Sequence, residues 1–331
     1  MMRARRGVIT VLGVFAALAL AAPVLAQTPK KAAPAKPPAA TGAAGNSDDG
    51  KLDIAYGTYQ RGLYLTALAE ASKRAQQNDP AAMTLLGELY AQGQGVARDD
   101  GKAAQWYKLA AAQSDRNAIF ALAMFNFEGR GGAKNPDEGA RLLESAANLG
   151  HAAAAYDLGL LYLTGDQLPQ NLSRAAELFR KAAAAGNPEA QYALATMAKE
   201  GRGIPKDINL AMLLMGQASV AGNIDAMVEF AIAQFNGDGA EKNEAAGAQL
   251  MLRAAQRGSA IAQNRLARIL MAGRGLPADP TQAIKWHIIA KGGGASDPEL
   301  DVFASKQPPE VRNAAAAAAG KWQSTAVAMR P

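Results

Sequence analysis

One interval governs this sequence. Ala82 is followed at steps of 36 residues by Ala118, Ala154, Ala190, Ala226 and Ala262, and Leu86 by Leu122, Leu158, Leu194, Phe230 and Leu266. Gly93 returns as Gly129, Gly165, Gly201, Gly237 and Gly273, and Ala110 as Ala146, Ala182, Ala218, Ala254 and Ala290. Chance does not hold register over six units. A fixed period of roughly 20 to 50 residues marks a repeat array, in which each unit buries its apolar face only by stacking on its neighbours.

Within a unit the pattern is helix, loop, helix. Between Ala82 and Ser114, the apolar residues Ala82, Leu86, Leu89 and Tyr90 fall on one helical face. Gly93 and Gly95 end that helix by taking backbone angles that other residues resist. Asp99 caps a second helix that turns Ala103, Trp106, Ala110 and Ala111 inward. The aligned loop residues are Asp99, Asn135, Asn171, Asp207, Asn243 and Asp279, each with a short oxygen acceptor suited to the orphan N–H groups of a helix start. Asn135-Pro136-Asp137-Glu138 and Asp279-Pro280-Thr281-Gln282 add proline at the first position and a third-position acceptor. Calcium does not fit this row: each loop offers one carboxylate, where the ion takes about six to eight oxygens.

Leu86, Gly87, Tyr90, Gly93, Gly95, Val96, Asp99, Lys102, Ala103, Trp106, Tyr107, Ala110 and Ala111 resemble the Sel-1-like repeat family, relatives of the tetratricopeptide repeats. The resemblance covers residues 78–294, with departures at Asn126, Gln167 and Ala240. It implies an all-α α-solenoid, a right-handed superhelix of six helix pairs (78–113, 114–149, 150–185, 186–221, 222–257 and 258–294). Residues 51–77 then form an amino-terminal cap, since Ala67 lies 36 before Ala103. Residues 295–331 form the carboxy-terminal cap, with helix starts at Ser296–Glu299 and Pro308–Glu310.

Ahead of the repeats, residues 1–26 carry the pattern of a secretory signal. Arg3, Arg5 and Arg6 precede the apolar run 8–20, and Val24-Leu25-Ala26 suits cleavage after Ala26. An uncleaved anchor is the alternative, but a spanning helix wants about 20 apolar residues and Pro23 interrupts this run. Residues 27–50 hold Pro, Ala and Lys without a large apolar side chain, the composition of a disordered linker. The expected location is the periplasm or the exterior of a bacterium.

The chain carries a formal net charge of +6. Arg3, Arg5, Arg6 and the Lys30, Lys31 and Lys36 segment supply most of it, leaving residues 51–331 close to neutrality. A balanced body gives no footprint for nucleic acid. With no cysteine, disulfides, thiolate metal sites and cysteine nucleophiles are excluded.

Catalytic sets are missing as well. His151 and His287 are the only histidines and lie almost four units apart; His151 reads as a surface turn residue and His287 as a partly buried packing residue. Gly129-Arg130-Gly131-Gly132 and Gly201-Arg202-Gly203 are repeat loops without the strand that a phosphate cradle needs. The expectation is a protein that is not an enzyme and carries no cofactor or metal.

Binding is the better reading. In the related tetratricopeptide repeats the first helix of each pair lines the concave surface. Carried across, those positions are Thr84 and Glu88, then Phe120, Met124 and Phe127, Tyr156 and Leu160, and Tyr192, Thr196 and Lys199. Val228, Ile232 and Phe235 follow, then Asn264 and Arg268. Phe120, Tyr156 and Tyr192 would make an aromatic ladder in a groove suited to an extended peptide, a partner helix or a glycan. The competing reading is that they fill a tightly wound superhelix.

Together these give a non-enzymatic periplasmic scaffold or adaptor holding a protein or peptide, with peptidoglycan or exopolysaccharide as other ligands. No nucleic acid is expected, and membrane contact only through an uncleaved signal segment. The alternatives are a periplasmic regulator of envelope or exopolysaccharide signalling and, by likeness to cysteine-rich relatives, a β-lactam-binding or β-lactam-hydrolysing enzyme. This chain lacks the disulfides and the serine–lysine set for the last.

Overall fold

The computed structural model describes residues 53–328, so the readings of residues 1–26 and 27–50 lie outside the described residues. Among the described residues there are sixteen helices and no strand. The fold is all-α and is an α-solenoid. The first helices of the six pairs, called A helices here, are α3 (Pro80–Gln92), α5 (Arg116–Glu128), α7 (Ala152–Thr164), α9 (Pro188–Glu200), α11 (Ile224–Asn236) and α13 (Ala260–Ala272). The B helices are α4 (Asp100–Ala111), α6 (Pro136–Asn148), α8 (Leu172–Ala184), α10 (Ile208–Ala221), α12 (Glu244–Gln256) and α14 (Pro280–Gly292). Before them stand α1 (Ile54–Gln60) and α2 (Tyr64–Ala75), and after them α15 (Pro298–Ser305) and α16 (Pro309–Ala328).

The periodic columns are the core. All six alanines of the Ala82 series and all six of the Ala110 series are buried. A methyl group at both columns lets helices approach closely enough for the interior to pack without voids. The Leu86 series is buried too, except Phe230, which is half-buried and reaches Gly216 of the preceding B helix.

The loop chemistry repeats just as closely. The first loop glycine of every unit, Gly93 through Gly273, ends its A helix in the left-handed region. Each of Asp99, Asn135, Asn171, Asp207, Asn243 and Asp279 caps its B helix, its side chain accepting from the N–H three residues on. Its own N–H closes the loop onto the A-helix carbonyl nine residues back, as from Asp99 to Tyr90 at 3.0 Å.

The second loop glycine sets the spacing between units. A Cβ on Gly131 would lie 2.5 Å from the Asp100 carbonyl oxygen of the preceding unit, and one on Gly275 would lie closer still to that of Glu244. No side chain fits there. The arginine ahead of each of these glycines pairs with the same neighbour: Arg130 with Asp100 at 2.7 Å and Arg274 with Glu244 at 2.5 Å. Unit three has Gln167 at the glycine position, opposite Pro136.

Candidate binding face

The fifteen residues placed on the A helices by sequence follow three positions of the repeat, and the structure gives them different neighbours. At the first position the side chain reaches the next unit. Thr84 donates to Asp115, the cap of α5, at 3.1 Å. Phe120 stacks on His151, the cap of α7, with centroids 4.4 Å apart. Tyr192 donates to Glu229 of α11 at 2.7 Å. Asn264 donates to Asp297, the cap of α15, at 3.0 Å. Tyr156 instead tilts against Phe179 of its own pair at 5.7 Å. Phe120, Tyr156 and Tyr192 are therefore each tied into the stack, and Tyr192 is buried.

At the second position, Met124, Leu160 and Thr196 are half-buried in the middle of the array. The Thr196 hydroxyl donates to its own helix at the Tyr192 carbonyl, 3.1 Å away. Both ends of this line are covered. Glu88 accepts from Tyr59 of α1 and from Gln92, each at 3.0 Å, and burial raises its pKa. Arg268 grips Asp297 with two bonds of 2.6 and 2.8 Å and reaches Glu299 at 2.7 Å.

The third position splits. Phe127 and Phe235 turn into their own pairs, where a Cβ on Gly139 or Gly247 would meet the rings at 2.9 and 2.7 Å. Phe235 also lies under the Arg274 guanidinium, 5.7 Å from the ring centre. Lys199 stays exposed and pairs with Glu229 at 2.9 Å.

Glu229 is thus the centre of a small network, holding the Tyr192 hydroxyl on one oxygen and the Lys199 ammonium on the other. It belongs to a column that sequence reading passed over: Leu85, Ala121, Asp157, Ala193, Glu229 and Arg265. The signal was available, since the column alternates from small apolar to charged residues after Ala121. Asp157 is half-buried and makes no hydrogen bond or ion pair with any described residue. Loss of solvent pushes its carboxyl up to about 7, and the Tyr156 phenol beside it is raised to about 12 by burial and by the Asp157 and Glu189 charges.

The histidines differ from their sequence reading in detail. His151 is no bystander in a turn: its Nδ1 accepts from the Ala154 N–H as the cap of α7, and burial, with Arg116 nearby, lowers its pKa to about 4. His287 is buried, and its Nε2 lies 2.8 Å from Asp301, which also accepts from Lys291 at 2.9 Å. The cavity beside it, between α14, α15 and α16, is lined by Ile284, Ile288, Lys291 and Arg312 among others, with no hydroxyl nucleophile. Among the described residues no three side chains could share a metal ion, and no helix is long and apolar enough to cross a membrane.

The model of the Sel1 repeat matches residues 80–115, 116–151, 152–187, 188–223, 224–259 and 260–291. The chain belongs to the Sel1-repeat family. Among solved structures, a Sel1 repeat protein from Oxalobacter formigenes is similar at 26% identity over 71% of this chain and 94% of its own, with a TM-score of 0.61. A protective antigen of uropathogenic Escherichia coli displaying an SLR fold matches at 19% identity over 81% of this chain and 84% of its own, with a TM-score of 0.45. Helicobacter pylori cysteine rich protein B matches at 22% identity over 39% of this chain and 92% of its own, with a TM-score of 0.32. No curated protein matches the chain. Sel1 repeats are scaffolds for contact between proteins, a fold that is generally non-catalytic.

Proposed function

We propose that the protein is a non-enzymatic adaptor of the bacterial periplasm, holding a partner protein along the A-helix face of its middle repeats. The observation that carries this reading is the division of that face. Its ends, at Glu88 and Arg268, are consumed by the terminal helices, whereas Met124, Leu160 and Thr196 lie half-buried between them and make no polar contact with another unit. A strip of partly exposed apolar side chains rimmed by polar ones suits an extended segment of another protein. The periplasmic location rests on the signal-like residues 1–26.

The test compares two faces. Leu160→Arg places a charge on the A-helix strip, and Leu213→Arg places one on the exposed side of α10. Tagged protein purified from the envelope of its host should lose its co-purifying partner with the first change and keep it with the second. Loss with the second alone moves the site to the B helices, and recovery from the cytoplasm in precursor form contradicts the location.

A further inference from the structure

The network at Glu229 has a counterpart two repeats earlier in which the cation is missing. In the later place, the carboxylate of unit five meets the Tyr192 hydroxyl and the Lys199 ammonium of unit four. Stepped back by 72 residues, the carboxylate is Asp157 of unit three, and the residues at the two donor positions of unit two are Phe120 and Phe127. Neither can donate. Phe127 is moreover turned against Gly139, and one face of Phe120 is taken by His151. Ala121 and Ala193 flank Asp157 in its column, so the adjoining repeats bring no donor from that position. The Tyr156 hydroxyl next to it makes no hydrogen bond with any described residue.

We propose that the A-helix face of unit three receives a lysine or arginine side chain from an extended segment of a partner protein, with Asp157 as its counter-ion and Phe120 and Tyr156 beside it. This rests on the adaptor reading and names the chemistry of its partner. The incoming group would take the place that Lys199 fills for Glu229 inside the protein. A partly desolvated carboxylate gains most from a cation that arrives with its own hydrogen-bond donors. Aromatic faces favour the same charge. The raised Asp157 carboxyl is the mark of a charge awaiting a partner, because burial without a donor disfavours its ionised form. The acidic side chains on the same stretch, Glu189 on α9 and Asp225 on α11, also favour a basic ligand.

The probe is a displayed library of random heptapeptides, selected at pH 8 on the folded chain, on Asp157→Asn, and on Asp157→Glu as the conservative variant. Asp157→Asn removes an unpaired charge and is expected to fold, as circular dichroism would show. The expected result is a basic residue fixed at one peptide position, affinity reduced about tenfold or more by Asp157→Asn, and partial recovery in Asp157→Glu. Peptides selected without a fixed basic residue, or basic peptides held equally by Asp157→Asn, overturn the assignment and leave the A-helix face standing as a peptide groove. A selection that yields nothing above background overturns both.

Discussion

The two halves of the array treat their A-face carboxylates differently. In the later half two of them draw a cation from the unit before: Glu229 has Lys199, and Asp297, at the start of α15, has Arg268. In the earlier half Asp157 has none, because Phe120 and Phe127 stand at the donor positions. Asp157 and Glu229 occupy the same position of the repeat, and Asp297 caps the first helix after the array. What differs is whether the array satisfies the charge itself or leaves it to something else, and that choice was made by substituting two aromatic residues in unit two. A repeat protein can thus seal one stretch of its surface and open another without altering its backbone.

The sharpest break in this comparison comes at Arg268. Asp297 is buried, and although burial alone would raise its carboxyl, the Arg268 and Asn264 side chains and the Leu300 N–H hold it down to about 2. Arg268→Ala leaves that carboxylate buried with only Asn264 and its own helix start. Removing one partner of a buried pair costs roughly 3–5 kcal/mol; the half-exposed arginine reduces the expected loss to about 2 kcal/mol at pH 7. The sign follows from the depressed pKa. The contribution is present above the ordinary carboxylate range and fades as pH falls toward 2, so urea unfolding of the variant should show a flatter acid limb than the parent. An unchanged midpoint at pH 7 would mean that α15 is held by Leu300 and its apolar neighbours alone.

The fold was legible because its cause is periodic. The alanine columns, the left-handed glycine and the Asp or Asn cap are each required by local geometry in every unit, so six copies announce them. The face was only partly legible. Carrying whole positions across treats a column as uniform, yet Phe127 and Phe235 turn inward because Gly139 and Gly247 make room for a ring on the facing helix, whereas Lys199 at the same position points to solvent. Arg268 was read as lining a groove and instead holds α15, a contact that spans 29 residues and depends on where the cap lands. Asp157 is legible only as a charge set between the alanines of its column, Ala121 and Ala193, a signal separate from the aromatic residues.

The second prediction concerns Asp157 and has the opposite sign. A carboxyl raised from 3.8 to about 7 on folding binds its proton more tightly in the native state, so stability falls as pH climbs from about 4 to 7 and the penalty is complete above that. Taken whole, a rise of that size would be worth about 4 kcal/mol; partial solvent access and the polar amide that replaces the acid bring the expected gain for Asp157→Asn to about 1 kcal/mol at pH 8 and close to nothing at pH 5. Chemical denaturation at the two values decides it. Equal effects at both would show that the carboxyl is solvated and ordinary, and the contrast between the two halves would lose its energetic basis.

The smallest effect on stability belongs to Lys199, and it is the one that sharpens the comparison most. Its ammonium is exposed, and such pairs contribute less than about 1 kcal/mol, so Lys199→Ala should shift the unfolding midpoint by no more than about 0.5 kcal/mol. Glu229 would then keep the Tyr192 hydroxyl and lack a cation, the condition that Asp157 already occupies. Introduced into Asp157→Asn, the change should restore selection of peptides with a fixed basic residue, now read by Glu229 and abolished again by Glu229→Gln. If the double variant stays blind to basic peptides, an unpaired carboxylate on this face is insufficient, and the Tyr156 ring, whose place beside Glu229 is taken by Val228, carries the recognition.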